Sequence, residues 1–217
     1  MIDLSGIQKM FITTLFTSPR TFAATALIVI FSICVHEFMH AFAALKMGDP
    51  TAADAGHLTM NPFRQMGLWS LIMLAFIGIA WGQVPVNEAN LPGKMRKLTV
   101  FLAGVTANLF LALLFTIGCF FTVINIPGQQ FAAQMLYFGA VINIVLLMIN
   151  LLPIPGFDGW RVLTLFWKPQ SSLSSEFLNG TLFIVMMIVF FGFSKIELAA
   201  SSLIGTLLNL LFTIAGK

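Results

Sequence analysis

Residues 21–45 read TFAATALIVIFSICVHEFMHAFAAL, a run of 25 positions with a single formally charged side chain, Glu37, and two histidines, His36 and His40. At 1.5 Å per residue such a run forms a helix of about 37 Å, longer than the roughly 30 Å hydrocarbon core of a bilayer. It stops at Lys46, Gly48, Asp49 and Pro50, residues that end helices because glycine takes left-handed backbone and proline cannot continue the ladder. The stretch is read as a membrane-crossing helix, and that reading decides the fold class.

The rest of the chain agrees with it. Of 217 residues 59% are apolar and 9% charged, with mean hydropathy +0.96, whereas soluble domains are about a quarter charged. Further apolar runs occupy about 66–81, 98–124, 131–152, 177–193 and 198–214, divided by Pro, Gly and charge. The expectation is an all-α polytopic membrane protein with about five or six membrane segments in one domain, 1–217. Residues 1–20 fit an interfacial segment, and Pro127-Gly128 joins two spans as a hairpin. Residues 177–214 are expected to form a second, C-terminal hairpin. The run 66–81, with Gly67, Gly78, Trp69 and Trp81, gives only about 24 Å of helix, so it either re-enters on the same side or crosses as a short span.

The formal charge of +3 is read as loop residues that set orientation. Because 98–124 and 131–152 both cross, Lys94, Arg96 and Lys97 share a side with Arg161 and Lys168, which the positive-inside rule makes cytoplasmic. Basic residues do not form a stripe interleaved with aromatics, so nucleic acid is not an expected partner. Cys34 and Cys119 lie within apolar runs and read as small buried hydrophobes. No removable signal peptide is read in the first twenty residues.

Chemistry enters with His36-Glu37-Phe38-Met39-His40. Histidines at i and i+4 project from one helix face, so both imidazoles reach a single metal ion, with Glu37 beside it as a general base. Two histidines and a glutamate inside lipid are costly, which makes them functional by default. Catalytic zinc usually takes three protein donors and one open position. The candidates for the third donor are His57, Asp49, Asp54, Glu88, Asp158, Glu176 and Glu197. Asp158 stands out in Asn150-Leu-Leu-Pro-Ile-Pro-Gly-Phe-Asp158-Gly159, where the prolines break the helix at membrane depth and turn polar groups toward a protein-lined cavity. A cap on the following helix is its other reading.

The H-E-x-x-H span, the Asn-x-x-Pro-x-Pro-x-x-Asp-Gly motif, and the intervening Gly-His-Leu-Thr-Met-Asn-Pro and Val-Pro-Val-Asn stretches together resemble the site-2 protease family. The match is to its small members without an added peptide-binding domain and covers about residues 30–163. The resemblance implies one Zn²⁺ per chain held by His36, His40 and Asp158, with Glu37 as catalytic base. It also aligns Ala103-Gly104-Val105-Thr106-Ala107-Asn108 with the family's Ala-Gly-Pro-x-x-Asn segment. That makes Asn108 a further catalytic candidate, facing the site as an oxyanion or substrate donor, or else a residue that packs spans together. Residues 84–87 (Val-Pro-Val-Asn) match the family's β-type edge, which pairs with an unwound substrate. Met39, Val105 and Gly156-Phe157 depart from the family pattern without removing a ligand. His57 is read as a loop or lipid-facing polar group.

The expected activity is intramembrane zinc-dependent endopeptidase, with residues 21–168 as catalytic core. Transmembrane proteins are the substrates and lipid the surroundings. The expected location is a prokaryotic cell membrane, the site opening toward the cytoplasm. The competing classes are a non-catalytic metal-binding scaffold and a metal transporter; the intact Glu37 speaks against the first and the lack of a second polar constellation against the second.

Overall fold

The computed structural model describes residues 11–167 and 175–216, with side chains described for 13–167 and 192–216. Helices account for the architecture: α1 Phe11–Thr17, α2 Pro19–Met47, α3 Thr51–Asp54, α4 Pro62–Gln65, α5 Gly67–Ile77, α6 Lys94–Asn125, α7 Gln130–Asn150, α8 Asp158–Phe166 and α9 Ser175–Ile214. Four helical stretches among the described residues are long and apolar enough to cross a membrane: Pro19–Met47, Lys94–Asn125, Gln130–Asn150 and Gly192–Ile214. The protein is an all-α polytopic membrane protein. Among the described residues there is no strand, so 84–87 runs without a ladder partner.

Helix α2 begins at Pro19 in its first turn, where the missing N–H is not needed, and ends at Gly48 with φ 108°. The N–H groups of Gly48 and Asp49 donate to Leu45 O (3.2 Å) and Ala44 O (2.8 Å), the two bonds of a Schellman cap. Helices α6 and α7 form the expected hairpin, turning at Gly128 with φ 90°. Small side chains let the helices approach: Ala43 and Ala44 of α2 pack with Val100, Phe101 and Ala103 of α6. Ala112 and Cys119 of α6 and Ala140, Val141 and Ile144 of α7 form one core with Ala200, Ile204 and Leu208 of α9. Both cysteines are free and buried, as read from the sequence.

Two contacts fix how α2, α6 and α7 run. The Arg20 guanidinium lies 3.9 Å from the Phe131 ring centroid, joining the starts of α2 and α7. At the other end, Arg96 Nη1 donates to Met47 O at 3.2 Å, joining the end of α2 to the start of α6. Residues 48–93 therefore leave and return on one side. Helix α5, of 11 residues, reaches only about 16 Å. The chain then turns back at Gly78, φ 85°, and Ser70 Oγ bonds both the N–H (2.9 Å) and the carbonyl (2.7 Å) of Trp81. Gln83 N–H reaches Gln65 O at 3.0 Å, so the path closes beside its own start. The run 66–81 is thus re-entrant, the first of its two sequence readings.

The C-terminal expectation is corrected. Residues 177–193 and 198–214 are not the arms of a hairpin; both lie in the single 40-residue helix α9. The interval between them, Ser194-Lys195-Ile196-Glu197, holds charge but no proline, and Lys and Glu are good helix formers. Lys168, and the first ten residues of the expected interfacial segment, lie outside the described residues.

Asp49 latches the connection between α2 and α6. It is fully buried and accepts from Thr51 N–H (3.1 Å), the Thr51 hydroxyl, Asn87 N–H (2.7 Å) and Asn90 Nδ2 (2.9 Å). Burial alone would raise its pKa, but the bonds from Thr51, Asn90 and Asn87 outweigh it and hold the carboxyl below its usual range. A depressed folded pKa stabilises above the unfolded value, near 3.9, and that increment is lost as pH falls through the folded one. Asp49→Ala is expected to lower stability by about 3 kcal/mol, since charged acceptors carry stronger bonds and the donors would be stranded. In Asp49→Asn the acid-dependent part of the loss should vanish. Thermal melts in detergent at neutral pH and below about pH 4 check both.

Candidate metal centre

His36, Glu37 and His40 occupy the later half of α2, all buried. Asp158 comes from the first turn of α8 and is 7% exposed. The helix of α7 is broken by Pro153 and Pro155, which have no N–H to donate. The chain re-forms through Ile154 N–H to Leu152 O (2.8 Å) and Phe157 N–H to Ile154 O (3.1 Å). Gly159 lets α8 start against the end of α7, because a Cβ there would overlap the Leu151 carbonyl. Arg161, 4.8 Å from the centroid of the Phe101 ring, and Lys94, 5.4 Å from that of Phe166, hold α8 against α6.

These elements bring three ligand atoms together. His40 Nε2 lies 3.0 Å from His36 Nε2 and 3.0 Å from Asp158 Oδ2. His36 Nε2 lies 3.3 Å from the same carboxylate oxygen. Donors placed about 2.0–2.1 Å from zinc at tetrahedral angles are separated by roughly 3.3 Å, so the triangle has the dimensions that a single zinc ion needs from three ligands. Two imidazoles and one carboxylate are a donor set that zinc takes in catalytic sites. Among the described residues this is the one cluster of His, Cys, Asp or Glu with such spacing.

The far ring nitrogens are also engaged. His40 Nδ1 donates to Val100 O at 2.8 Å, and His36 Nδ1 meets Asn108 Oδ1. Both bonds put the ring proton on Nδ1 and leave Nε2 bare, as ligation requires. Asn108 Nδ2 donates onward to Asn143 Oδ1 at 2.9 Å, and Asn143 Nδ2 donates to Ser32 Oγ and Gly139 O, each at 2.8 Å. Asn108 therefore lies against His36, with both its amide atoms bonded within the protein. Asn143 escaped the sequence reading. Its signal was an amide side chain in the middle of the apolar run 131–152, where polar groups are costly unless paired.

Two glycines make the room. At Gly104 of α6 a Cβ would overlap His40 Nε2 and come within 2.5 Å of His36 Nε2. At Gly82, on the return limb of the re-entrant loop, it would lie 2.5 Å from Glu37 Oε1. Backbone from α6 and from the loop thus closes on the ligands and on the glutamate. His57 stays apart in the 55–65 loop, where its carbonyl accepts from Gln65 Nε2 at 2.8 Å.

The profile of peptidase family M50 matches residues 122–192, the stretch that carries Asp158. A Bacillus subtilis protein named "Putative zinc metalloprotease YwhC" is 31% identical over 75% of this chain and 77% of its own length. "Putative zinc metalloprotease Rip2" of Mycolicibacterium smegmatis is 32% identical over 79% of this chain and 70% of its own. The Mycobacterium tuberculosis Rip2 is 35% identical over 70% of this chain and 62% of its own. No solved structure is significantly similar. Identity sustained at this level across most of full-length relatives settles kinship: the chain belongs to peptidase family M50, the site-2 proteases.

Proposed function

We propose that the protein is an intramembrane zinc endopeptidase that hydrolyses peptide bonds in or near the transmembrane segments of membrane proteins. The observation that carries this reading is the convergence of His36 Nε2, His40 Nε2 and Asp158 Oδ2 within 3.3 Å of one another, on spanning or adjoining helices with Glu37 next in the chain. His36, His40 and Asp158 would hold the ion. Bound zinc supplies Lewis-acid chemistry, acidifying water and polarising the scissile carbonyl. Glu37 accepts the proton that the attacking water gives up, and then delivers it to the departing amide nitrogen.

A substrate helix shields its own carbonyls by internal hydrogen bonding, so the cleaved segment must be extended. Residues 84–87 suit that need. Val84 is buried against Ala41 and Ala52, and Val86 packs into the same cluster, which anchors one side of an extended stretch whose ladder groups an unwound peptide can pair by β-augmentation. The basic residues Lys46, Arg64, Lys94, Arg96 and Lys97 border the α2–α6 connection, and by the positive-inside rule that side is cytoplasmic. The site then opens to the cytoplasm, in a cell membrane.

Bound zinc per chain, measured by mass spectrometry on detergent-purified protein, tests the ligand set. Wild type is expected to carry about one zinc and Asp158→Ala a small fraction of it, because loss of a ligand also strands a buried site. Unchanged zinc in Asp158→Ala would remove Asp158 from the set. Cleavage of a synthetic transmembrane helix by wild type, and none by Asp158→Ala, tests the reaction.

A further inference from the structure

We propose that Asn143, on a helix that contributes no ligand, is a positioning residue for the metal centre: through Asn108 it decides which nitrogen of His36 is left bare for zinc. The inference rests on His36 being a ligand. His40 needs no such help, since its Nδ1 faces the Val100 carbonyl, which only accepts. His36 faces the amide of Asn108, and an amide can turn over and present either an acceptor oxygen or a donor nitrogen. With oxygen toward the ring, Nδ1 carries the proton and Nε2 is bare. With nitrogen toward it, Nδ1 must accept and the proton moves to Nε2, where it blocks ligation.

Asn108 is therefore ambiguous by itself, and so is Asn143, another amide. The ambiguity ends at Gly139. Its backbone carbonyl can only accept, so the Asn143 side chain must present Nδ2 to it, at 2.8 Å. Oδ1 of Asn143 is then left for Asn108 Nδ2, at 2.9 Å. That in turn leaves Asn108 Oδ1 for His36. One carbonyl on α7 sets the polarity of the chain across α6 to a ligand on α2. Asn108 and Asn143 are both fully buried, so water does not compete for these atoms. The Ser32 hydroxyl also meets Asn143 Nδ2, at 2.8 Å, but a hydroxyl donates or accepts as required and does not set the direction.

The test is zinc affinity of metal-stripped, detergent-purified protein by chelator competition, read beside the visible absorption of the cobalt(II)-substituted protein. Asn143→Leu keeps the volume and removes the amide. Asn143→Ser, as a second variant, carries a hydroxyl one bond shorter than the amide, which can bond Gly139 O within its own helix but falls short of Asn108 Nδ2. Asn143→Asp, neutral when buried, keeps an acceptor for Asn108 and a hydroxyl donor for Gly139 O. Loss of a group that orients a metal ligand typically weakens metal binding about 10–100-fold, which is expected for Leu and Ser, whereas Asp is expected within about threefold of wild type with the tetrahedral cobalt spectrum intact. A merely structural role predicts the reverse order for Asp, the most disruptive group to bury. Wild-type affinity in the Leu and Ser variants, or an Asp variant as weak as they are, would overturn the proposal. Wild type that takes up no zinc would instead overturn the ligand assignment itself.

Discussion

Glu37→Gln is expected to lower cleavage of a transmembrane substrate by about 10³-fold, within the range for loss of a general base, while zinc content stays at the wild-type level. Glutamine has the shape of glutamate and keeps its fit beneath Gly82, where backbone comes close enough that a Cβ would lie 2.5 Å from Oε1. It has no basicity, so the attacking water keeps its proton and the leaving nitrogen is not supplied with one. Single-turnover cleavage and metal analysis of the same preparation separate the two effects. Cleavage within tenfold of wild type would sink the role of Glu37; loss of zinc together with activity would make it a structural member of the site.

Gly104→Ala should empty the metal site without unfolding the protein. The added Cβ would overlap His40 Nε2 and lie 2.5 Å from His36 Nε2, and α6 cannot withdraw because its neighbours Val100, Phe101 and Ala103 are packed against α2. Alanine also favours helix over glycine by about 1 kcal/mol, which offsets part of the overpacking cost, so the variant is expected to melt close to metal-stripped wild type. Zinc should fall to a trace, and activity by more than about 10²-fold for want of the Lewis acid. Gly205→Ala is the control, since a Cβ there meets nothing within 4 Å. Zinc retained in Gly104→Ala at the Gly205→Ala level would show that the site relaxes around a methyl group.

What the sequence disclosed about the site follows from how its parts are spaced. His36 and His40 are one helical turn apart along a continuous helix, so local periodicity already places them together. Asp158 lies 118 residues beyond His40, and it was legible because Pro153 and Pro155 announce broken backbone in an apolar setting. The pairing of Asn143 with Asn108 was not legible, because it depends on the rotation and register of α7 against α6, which packing alone decides. Length left the run 66–81 open between two readings, and the bond from Gln83 to Gln65 resolves it. The C-terminal hairpin failed for a different reason. Lys195 and Glu197 lie in the interval that parted the two apolar runs, yet a helix carries such residues without interruption when no proline or left-handed glycine stops it.

The wide sequence interval between His40 and Asp158 has a thermodynamic consequence. An ion held at both ends, as proposed, would act as a reversible crosslink over a very long loop, formed only when the chain is folded. Folding free energy then contains a contribution RT ln(1 + [Zn]/Kd), about 4 kcal/mol when free zinc exceeds Kd a thousandfold. For a bundle whose α8 is a nine-residue helix following a proline-broken loop, the zinc level of the compartment becomes a determinant of how long the molecule stays assembled.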